Sequence, residues 1–246
     1  MNLGCIILAR TNSSRLKNKV LLKIGNTTII EILIKRLKKI KKIKKIVLAT
    51  TLKHEDNVLE KIAKKNKIEI YRGHETNVVK RVIDAANKYK IKNILEITAD
   101  CPLIDIEIVE NCIDIFSKNN VDYLNNCNFR SYPDGMDVQI FNIDCLKTTL
   151  KKTKKLEELE HVGIYQMRNQ KEFRVINLIA PKKFYFPEIS LTLDGKKDFL
   201  LIKKIYRNLY KKNKIFSLDE ILTLIKEKKW HKINSGVERI GTNLKR

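Results

Sequence analysis

Residues Leu3 to Lys19 read LGCIILARTNSSRLKNK. An apolar run from Leu3 to Ala9 gives way to a polar loop carrying Arg10, Ser13, Ser14, Arg15, Lys17 and Lys19. A short continuous apolar run bounded by polar residues predicts a buried strand. The loop behind it offers guanidinium forks, ammonium groups, hydroxyls and backbone N–H groups, all of which suit a polyphosphate. On composition alone a plain solvated basic turn is the favoured reading. The loop is not a Walker A, since no G-x-x-x-x-G-K-[ST] occurs anywhere in the chain.

The pattern of that first strand repeats outward. Further short apolar runs lie at Ile46 to Ala49, Ile68 to Tyr71, Ile94 to Thr98 and Val121 to Leu124. Helical patterns separate them. Thr28 and Glu31 have capping-box spacing and open a helix through Ile34, Leu37 and Ile40. Glu55 to Lys65 and Asn77 to Tyr89 are amphipathic, and Asp105 is placed to cap a helix reaching about Ser117. Buried strands alternating with helices predict an α/β chain: a mainly parallel sheet with helices on both faces. Ligands in such sheets sit beyond the carboxyl ends of the strands. The loops that matter are therefore Arg10 to Lys19, Thr50 to His54, Arg72 to Thr76 and Ala99 to Asp105. The second half is less regular. We expect strands at Met136 to Asn142, Phe173 to Ile179 and Ile189 to Leu193, and helices at Leu156 to Arg168 and Asp194 to Tyr210. A last helix starts at the Ser217/Glu220 capping box, and a polar tail runs from Asn234 to Arg246.

The chain has 246 residues, of which 43% are hydrophobic, enough for a sizeable core. Its formal net charge is +23, from 51 Lys and Arg against 28 Asp and Glu. Alone, that would suggest nucleic acid, an anionic membrane or acidic substrates. Lys, Ile and Asn are abundant everywhere, however, so the excess reads as chain-wide bias. In the most basic run, KRLKKIKKIKK from Lys35 to Lys45, apolar residues recur every three positions and no aromatics are interleaved. It reads as the wet face of a helix, and we expect no nucleic-acid partner. No apolar run is long enough to span a bilayer, and the start of the chain lacks a signal-peptide pattern. The five Cys are scattered without a C-x-x-C. We expect a cytoplasmic chain with reduced thiols and no membrane insertion.

The segment ILARTNSSRLKNKVL resembles the N-terminal signature of the cytidylyltransferases typified by the spore coat polysaccharide biosynthesis protein F, of form QARMGSTRLPGKVL. Those enzymes are similar to CMP-sialic acid synthetases and 3-deoxy-manno-octulosonate cytidylyltransferases. Further segments match in order: YRGHETNVVKR, ITADCPLID, YPDGMDVQIF with EHVGIYQM, and LTLDGKKDFLLI, so the resemblance runs from about Leu3 to Ile202. It implies a Rossmann-like nucleotide-diphosphosugar transferase fold. It also implies transfer of CMP from CTP to a sugar acid or related acceptor, with Mg²⁺ as cofactor and loss of pyrophosphate. Such an enzyme would serve surface polysaccharide or glycoconjugate synthesis, and sheet-edge homodimers are common in similar proteins. The chain departs from the pattern at Asn12 and Asn18, where the family usually has Gly, at Lys17, usually Pro, and at Gln139, usually Glu. Asn tolerates a left-handed backbone better than most residues, so a tight loop is still available.

The candidate site follows. Asp100 lies just past a strand, where a carboxylate can hold Mg²⁺ against phosphate oxygens; the resemblance makes it the family's metal carboxylate. Asp194 has the setting of a helix N-cap, and the resemblance makes it equally a second metal ligand. Arg10, Arg15 and Lys19 would neutralise triphosphate, joined in nucleotide binding by Leu8, Ala9, Ser13 and Ser14. The resemblance sets Arg72 and Gly73 near the base and ribose; as plain sequence they form a strand-to-helix turn. It assigns Tyr132, Asp134, Asp137, Glu160 and His161 to the acceptor side, although P-D-G is also an ordinary turn signal. We expect a single domain over 1–233, its nucleotide half at 1–125 and its acceptor half at 126–233, with the tail at 234–246. The alternatives are another nucleoside triphosphate, a sugar 1-phosphate acceptor, or a basic polyanion-binding protein without catalysis.

Overall fold

Leu3, Cys5, Ile6 and Ile7 are all fully buried. The first strand, β1 (Leu3–Leu8), therefore has protein on both faces. The computed structural model describes residues 1–211, 215–235 and 237. After β1 comes a small hairpin of β2 (Lys23–Ile24) and β3 (Thr27–Thr28), then α1 (Ile29–Leu37), β4 (Lys45–Thr51), α2 (Asn57–Lys65), β5 (Glu69–Gly73), α3 (Val78–Lys88), β6 (Asn93–Thr98) and α4 (Ile106–Lys118). The second half supplies β7 (Tyr123–Asn125), β8 (Gln139–Asn142), α5 (Ile143–Lys152), α6 (Leu156–Glu160), α7 (Ile164–Arg168), β9 (Val175–Asn177), α8 (Lys196–Leu209) and α9 (Leu218–Glu227).

The main sheet runs β5-β4-β1-β6-β8-β7-β9. Strands β5, β4, β1 and β6 are parallel, β8 is antiparallel to both neighbours, and β9 is parallel to β7. Chain order proceeds outward from β1 through β4 to β5, then jumps to the other side of β1 as β6. That reversal opens a crevice beyond the carboxyl ends of β1 and β6. One face of the sheet packs Cys5, Ile7, Leu95 and Ile97 against α1, α4, α8 and α9. The other packs Ile6, Val47, Ala49 and Ile94 against α3 and α5. No helix among the described residues is long and apolar enough to cross a membrane. All five cysteines are buried and none is in a disulfide.

Local signals set the helix ends as their chemistry requires. Glu31 N donates to Thr28 Oγ at 3.4 Å, and Thr28 N donates back to the Glu31 carboxylate at 2.9 Å, closing the expected capping box. Ser217 and Glu220 close a second one, and Asp105 Oδ1 accepts from Ile108 N at 3.1 Å. Loss of a cap costs about 1 kcal/mol. Thr28→Ala should therefore lower the melting temperature by roughly 2–4 °C for a chain of this size. An unchanged melting curve would mean that the cap carries no stability.

The second half departs from expectation in four places. The strand expected from Met136 begins only at Gln139. Ahead of it the Asn126 side chain takes the place of a partner strand, donating to Met136 O at 2.8 Å and accepting from Val138 N at 2.7 Å. The single helix expected over Leu156 to Arg168 is two, broken at Gly163 with φ 93°. A Cβ there would lie 2.3 Å from Gln139 Oε1 and 2.9 Å from the Tyr123 hydroxyl, so the chain passes too close for any other residue. The strand expected at Ile189 to Leu193 is a lone bridge from Ser190 to Asp134. Helix α5 matches no expectation. In the basic run, Arg36 is buried instead of wet: it donates to Ile104 O and Phe216 O, both at 2.7 Å. The expected polar tail falls largely outside the described residues. Its first member, Asn234, is buried, donating to Ser190 O and to Asp198 Oδ1.

Candidate active site

Backbone geometry sets the loop after β1. Asn18 adopts a left-handed conformation, φ 57° and ψ 24°, and its N–H donates to Thr11 O at 3.0 Å. That bond closes the loop, and Lys19 to Leu21 continues as a single 3-10 turn aiming Lys19 back at the strand ends. Of the two Asn positions where Gly is usual, only Asn18 needs the left-handed region; Asn12 does not use positive φ. The loop is pinned from the side by Asp56, which is buried and accepts from Thr11 N and Thr11 Oγ, both at 2.8 Å, and from the Thr51 hydroxyl. Burial pushes the Asp56 carboxyl up, but the threonine and backbone donors outweigh it and hold its pKa below the usual range.

Lys19 is the hub. Its ammonium donates to Asp100 Oδ2 at 2.6 Å and to Asp194 Oδ1 at 3.0 Å, and Arg15 Nη2 reaches the same Asp194 oxygen at 2.7 Å. Asp100 and Asp194 come from distant parts of the chain and meet because Leu193 N donates to Asp100 O at 2.8 Å. Asp194 is then held by Asp198, a fully buried residue whose Oδ2 accepts from Asp194 N at 3.1 Å and Gly195 N at 2.8 Å. Gly135, at φ 97°, lets this segment pass: a Cβ there would sit 2.8 Å from the Leu191 and Thr192 backbone. Burial disfavours the Asp100 carboxylate, yet Lys19 beside it holds its pKa below the ordinary value. Burial likewise disfavours the Lys19 ammonium, and the two carboxylates raise its pKa regardless. Lys19 and Asp100 thus each favour the charged form of the other.

A cleft of about 430 Å³ opens over these groups, lined by Leu8, Ala9, Arg10, Ser13, Ser14, Arg15, Lys19, Asp100, Glu160 and His161 among others. Arg10 Nη2 lies 3.4 Å from Glu160 Oε1 across its mouth. Other expected residues lie elsewhere. Arg72 does not line the cleft. Its guanidinium is occupied by Thr51 O at 3.0 Å, Lys53 O at 2.7 Å and the Asn57 side chain, so it fastens the β4–α2 loop. Gly73 is buried, and a Cβ on it would meet the Tyr71 ring and, at 3.3 Å, the Arg81 stem. Tyr132 is buried within the hydrophobic core. Asp134 and Asp137 both pair with Arg130, Asp137 through two bonds of 2.6 and 3.0 Å. Their carboxylates therefore brace the turn before β8, and neither residue is among those that line the cleft.

Three contributors had no clear sequence signal. Thr98 and Val78 line the cleft, as does Arg81. In the sequence Arg81 is one more cation on an amphipathic helix, and only the surrounding fold turns it inward.

A family model described as cytidylyltransferase matches residues 4–233. The chain belongs to the cytidylyltransferase family. Among relatives of this cytidylyltransferase-family chain, an uncharacterized protein of Methanocaldococcus jannaschii is 37% identical over 214 residues, covering 87% of this chain and 85% of that one. The spore coat polysaccharide biosynthesis protein SpsF of Bacillus subtilis is 30% identical over 226 residues, covering 89% and 92%. A solved structure of a cytidylyltransferase from Leptospira borgpetersenii superposes with a TM-score of 0.91 at 31% identity, covering 97% of this chain and all of that one. The resemblance drawn from the ordered sequence blocks is met by these matches, as is the α/β nucleotidyltransferase-like fold.

Proposed function

We propose that this cytidylyltransferase-family protein transfers CMP from CTP to a sugar acid or related acceptor, with release of pyrophosphate and in the presence of Mg²⁺. The observation that carries this reading is the Lys19 ammonium bridging Asp100 and Asp194 beneath a cationic loop. A triphosphate in the cleft would meet Arg15, Lys19 and Arg10, with Ser13 and Ser14 hydroxyls alongside. These groups neutralise the reacting phosphates and the departing pyrophosphate. The acceptor oxygen attacks the α-phosphorus in line, so the chain has mainly to position and to stabilise charge. No nucleophile constellation is required.

The donor set fits Mg²⁺. Lys19 takes Asp100 through Oδ2 and leaves Oδ1 to a weak 3.8 Å thiol contact with Cys101, and no hydrogen bond to Asp194 Oδ2 is found among the described residues. Each carboxylate thus keeps an oxygen that neither cation claims. Among the described residues no cluster of three or more metal-ligating side chains exists. This suits an ion held by one or two carboxylates plus substrate phosphates. Bound there, Mg²⁺ would supply Lewis-acid stabilisation of the phosphate oxygens.

The test is pyrophosphate release with each of the four nucleoside triphosphates against a panel of sugar acids and sugar 1-phosphates. CTP with a sugar acid should turn over at least tenfold faster than the other combinations, and only with Mg²⁺ present. Preference for another nucleotide, or for a sugar 1-phosphate, would sink this form of the proposal.

A further inference from the structure

The basic run that opens on Lys35 has no aromatics of its own, but the fold brings some to it. A cavity of about 440 Å³ lies between the end of α1, the end of α8 and the residues ahead of α9. It shares no lining residue with the cleft over Lys19. The α1 end contributes Lys35, Arg36, Lys38 and Lys39, and no carboxylate lines the cavity. Tyr206, Tyr210 and Phe216 line it from the other elements. Arg36 is 3% exposed. Its Nε and Nη2 are spent on Ile104 O and Phe216 O, which ties the β6–α4 loop to the residues ahead of α9. Nη1 has no hydrogen bond among the described residues. Burial pulls the guanidinium pKa down to about 10; the charges of Asp105 and Glu220 act the other way, but neither stands at ion-pair distance. A buried cation without a counter-ion is costly. The lysines are no better matched. Lys35 Nζ donates to Thr27 Oγ1 at 3.4 Å and Lys38 Nζ to Asn66 O, and neither they nor Lys39 pair with a carboxylate among the described residues.

We propose that this cavity is a second nucleotide site, its cations holding the phosphate and its tyrosines the base. Four cations with no acid among them call for more than one negative charge. A phosphomonoester brings that and a carboxylate does not. A phosphate oxygen accepts from Arg36 Nη1, and the lysines screen the remaining charge. The rings call for a flat body. Tyr206 and Tyr210 stack with centroids 4.9 Å apart, and Phe216 meets Tyr206 edge-on at 6.1 Å. Tyr210 is 48% exposed, which leaves ring surface for a ligand to stack on. The volume is that of a site for a whole small ligand. A solvated helix face accounts for the lysines alone. It does not account for an unmatched buried guanidinium and three clustered rings on the same cavity. The proposal stands whether or not the cleft over Lys19 takes CTP.

The test is calorimetric binding of AMP, adenosine and ribose 5-phosphate to the full chain, with photolabelling by 8-azidoadenosine 5′-monophosphate to place the site. AMP should bind about tenfold or more tightly than either fragment, since each lacks one half of the match. The label should fall on the peptides carrying Tyr206, Tyr210 or Phe216. Tyr210→Ala should weaken AMP about ten- to a hundredfold. Lys35→Glu combined with Lys39→Glu should weaken it about tenfold or more. Lys35 and Lys39 are exposed, so this variant should fold like the wild type, and melting curves check both proteins. The ligand comparison and the label need no variant, so a folding defect cannot hide the answer. Wild-type protein that takes up no AMP overturns the proposal, as does adenosine bound as tightly as AMP. Ribose 5-phosphate bound as tightly as AMP overturns it too, since the tyrosines would then hold nothing. A label found only on the cleft residues, or an AMP affinity that neither variant changes, sinks it as well.

Discussion

Asp100→Asn should fold like the wild-type protein and lose about a hundred- to a thousandfold in pyrophosphate release from CTP, the loss typical when one preorganised charge-stabilising group is removed. The fold should survive because Asn is isosteric and can turn its carbonyl oxygen to the Lys19 ammonium, which stays anchored to Asp194 at 3.0 Å. The chemistry should not survive. The amide has no net charge to offer Mg²⁺ and one oxygen where the carboxylate has two. The loss should also grow as Mg²⁺ is lowered, since Asp194 alone would have to hold the ion. Melting curves, steady-state rates and a Mg²⁺ titration check this together. Full activity in a folded Asp100→Asn protein would remove Asp100 from the metal site. It would leave Lys19 with two carboxylates whose only purpose is structural.

Much of this arrangement is legible in the amino-acid sequence. Strands β1, β4 and β6 are apolar runs because they are covered on both faces, and continuous burial leaves a continuous signature. The caps at Thr28, Asp105 and Ser217 are local interactions, and sequence spacing encodes them directly. The place of Asp100 at the cleft is legible because it immediately follows a buried strand whose carboxyl end borders the crevice. What was illegible depends on partners far away in sequence. Arg72 and Arg81 look alike as basic residues near one loop. One is folded away by Thr51 and Lys53, and the other is turned into the cleft. Asp134 and Asp137 both pair with Arg130, a residue with no motif of its own, and no spacing in the sequence announces that partner. The α6–α7 break depends on Gly163 passing Gln139 and Tyr123, a contact no helical periodicity reveals.

Gln139 sits in that same buried knot and leads to the second large effect. Its Nε2 donates to Glu96 Oε2 at 2.9 Å and to Val162 O at 3.3 Å, while its Oε1 accepts from the Tyr123 hydroxyl. Glu96 is 4% exposed and lies on β6, on the same face as Thr98 at the cleft floor. Burial pushes its carboxyl up to about 8 from the usual 4.5; the Gln139 hydrogen bond opposes this, and the negative charges of Asp100 and Asp137 reinforce it. No cation is found against it among the described residues. The folded chain therefore holds this proton more tightly than the unfolded chain. Its contribution to stability is complete below pH 4.5 and is lost as pH rises through 8. At 1.36 kcal/mol per unit, the loss across that window reaches a few kcal/mol, on the order of a quarter or more of a domain's whole stability. Glu96→Gln removes the titration and keeps an oxygen for Gln139 to donate to. Relative to wild type, the variant should gain nothing at pH 4.5 and about 2–4 kcal/mol at pH 8.5. Asp56 and Asp100, with pKa values held below the usual range, titrate beneath this window and cannot produce the same slope. Denaturant unfolding of both proteins at pH 5, 7 and 8.5 measures the difference directly. A gap that stays constant across those three points would mean that Glu96 is already ionised in the folded chain at pH 5. Gln139 would then be the partner of a buried charge, and Gln139→Glu would set two carboxylates against each other beneath the cleft.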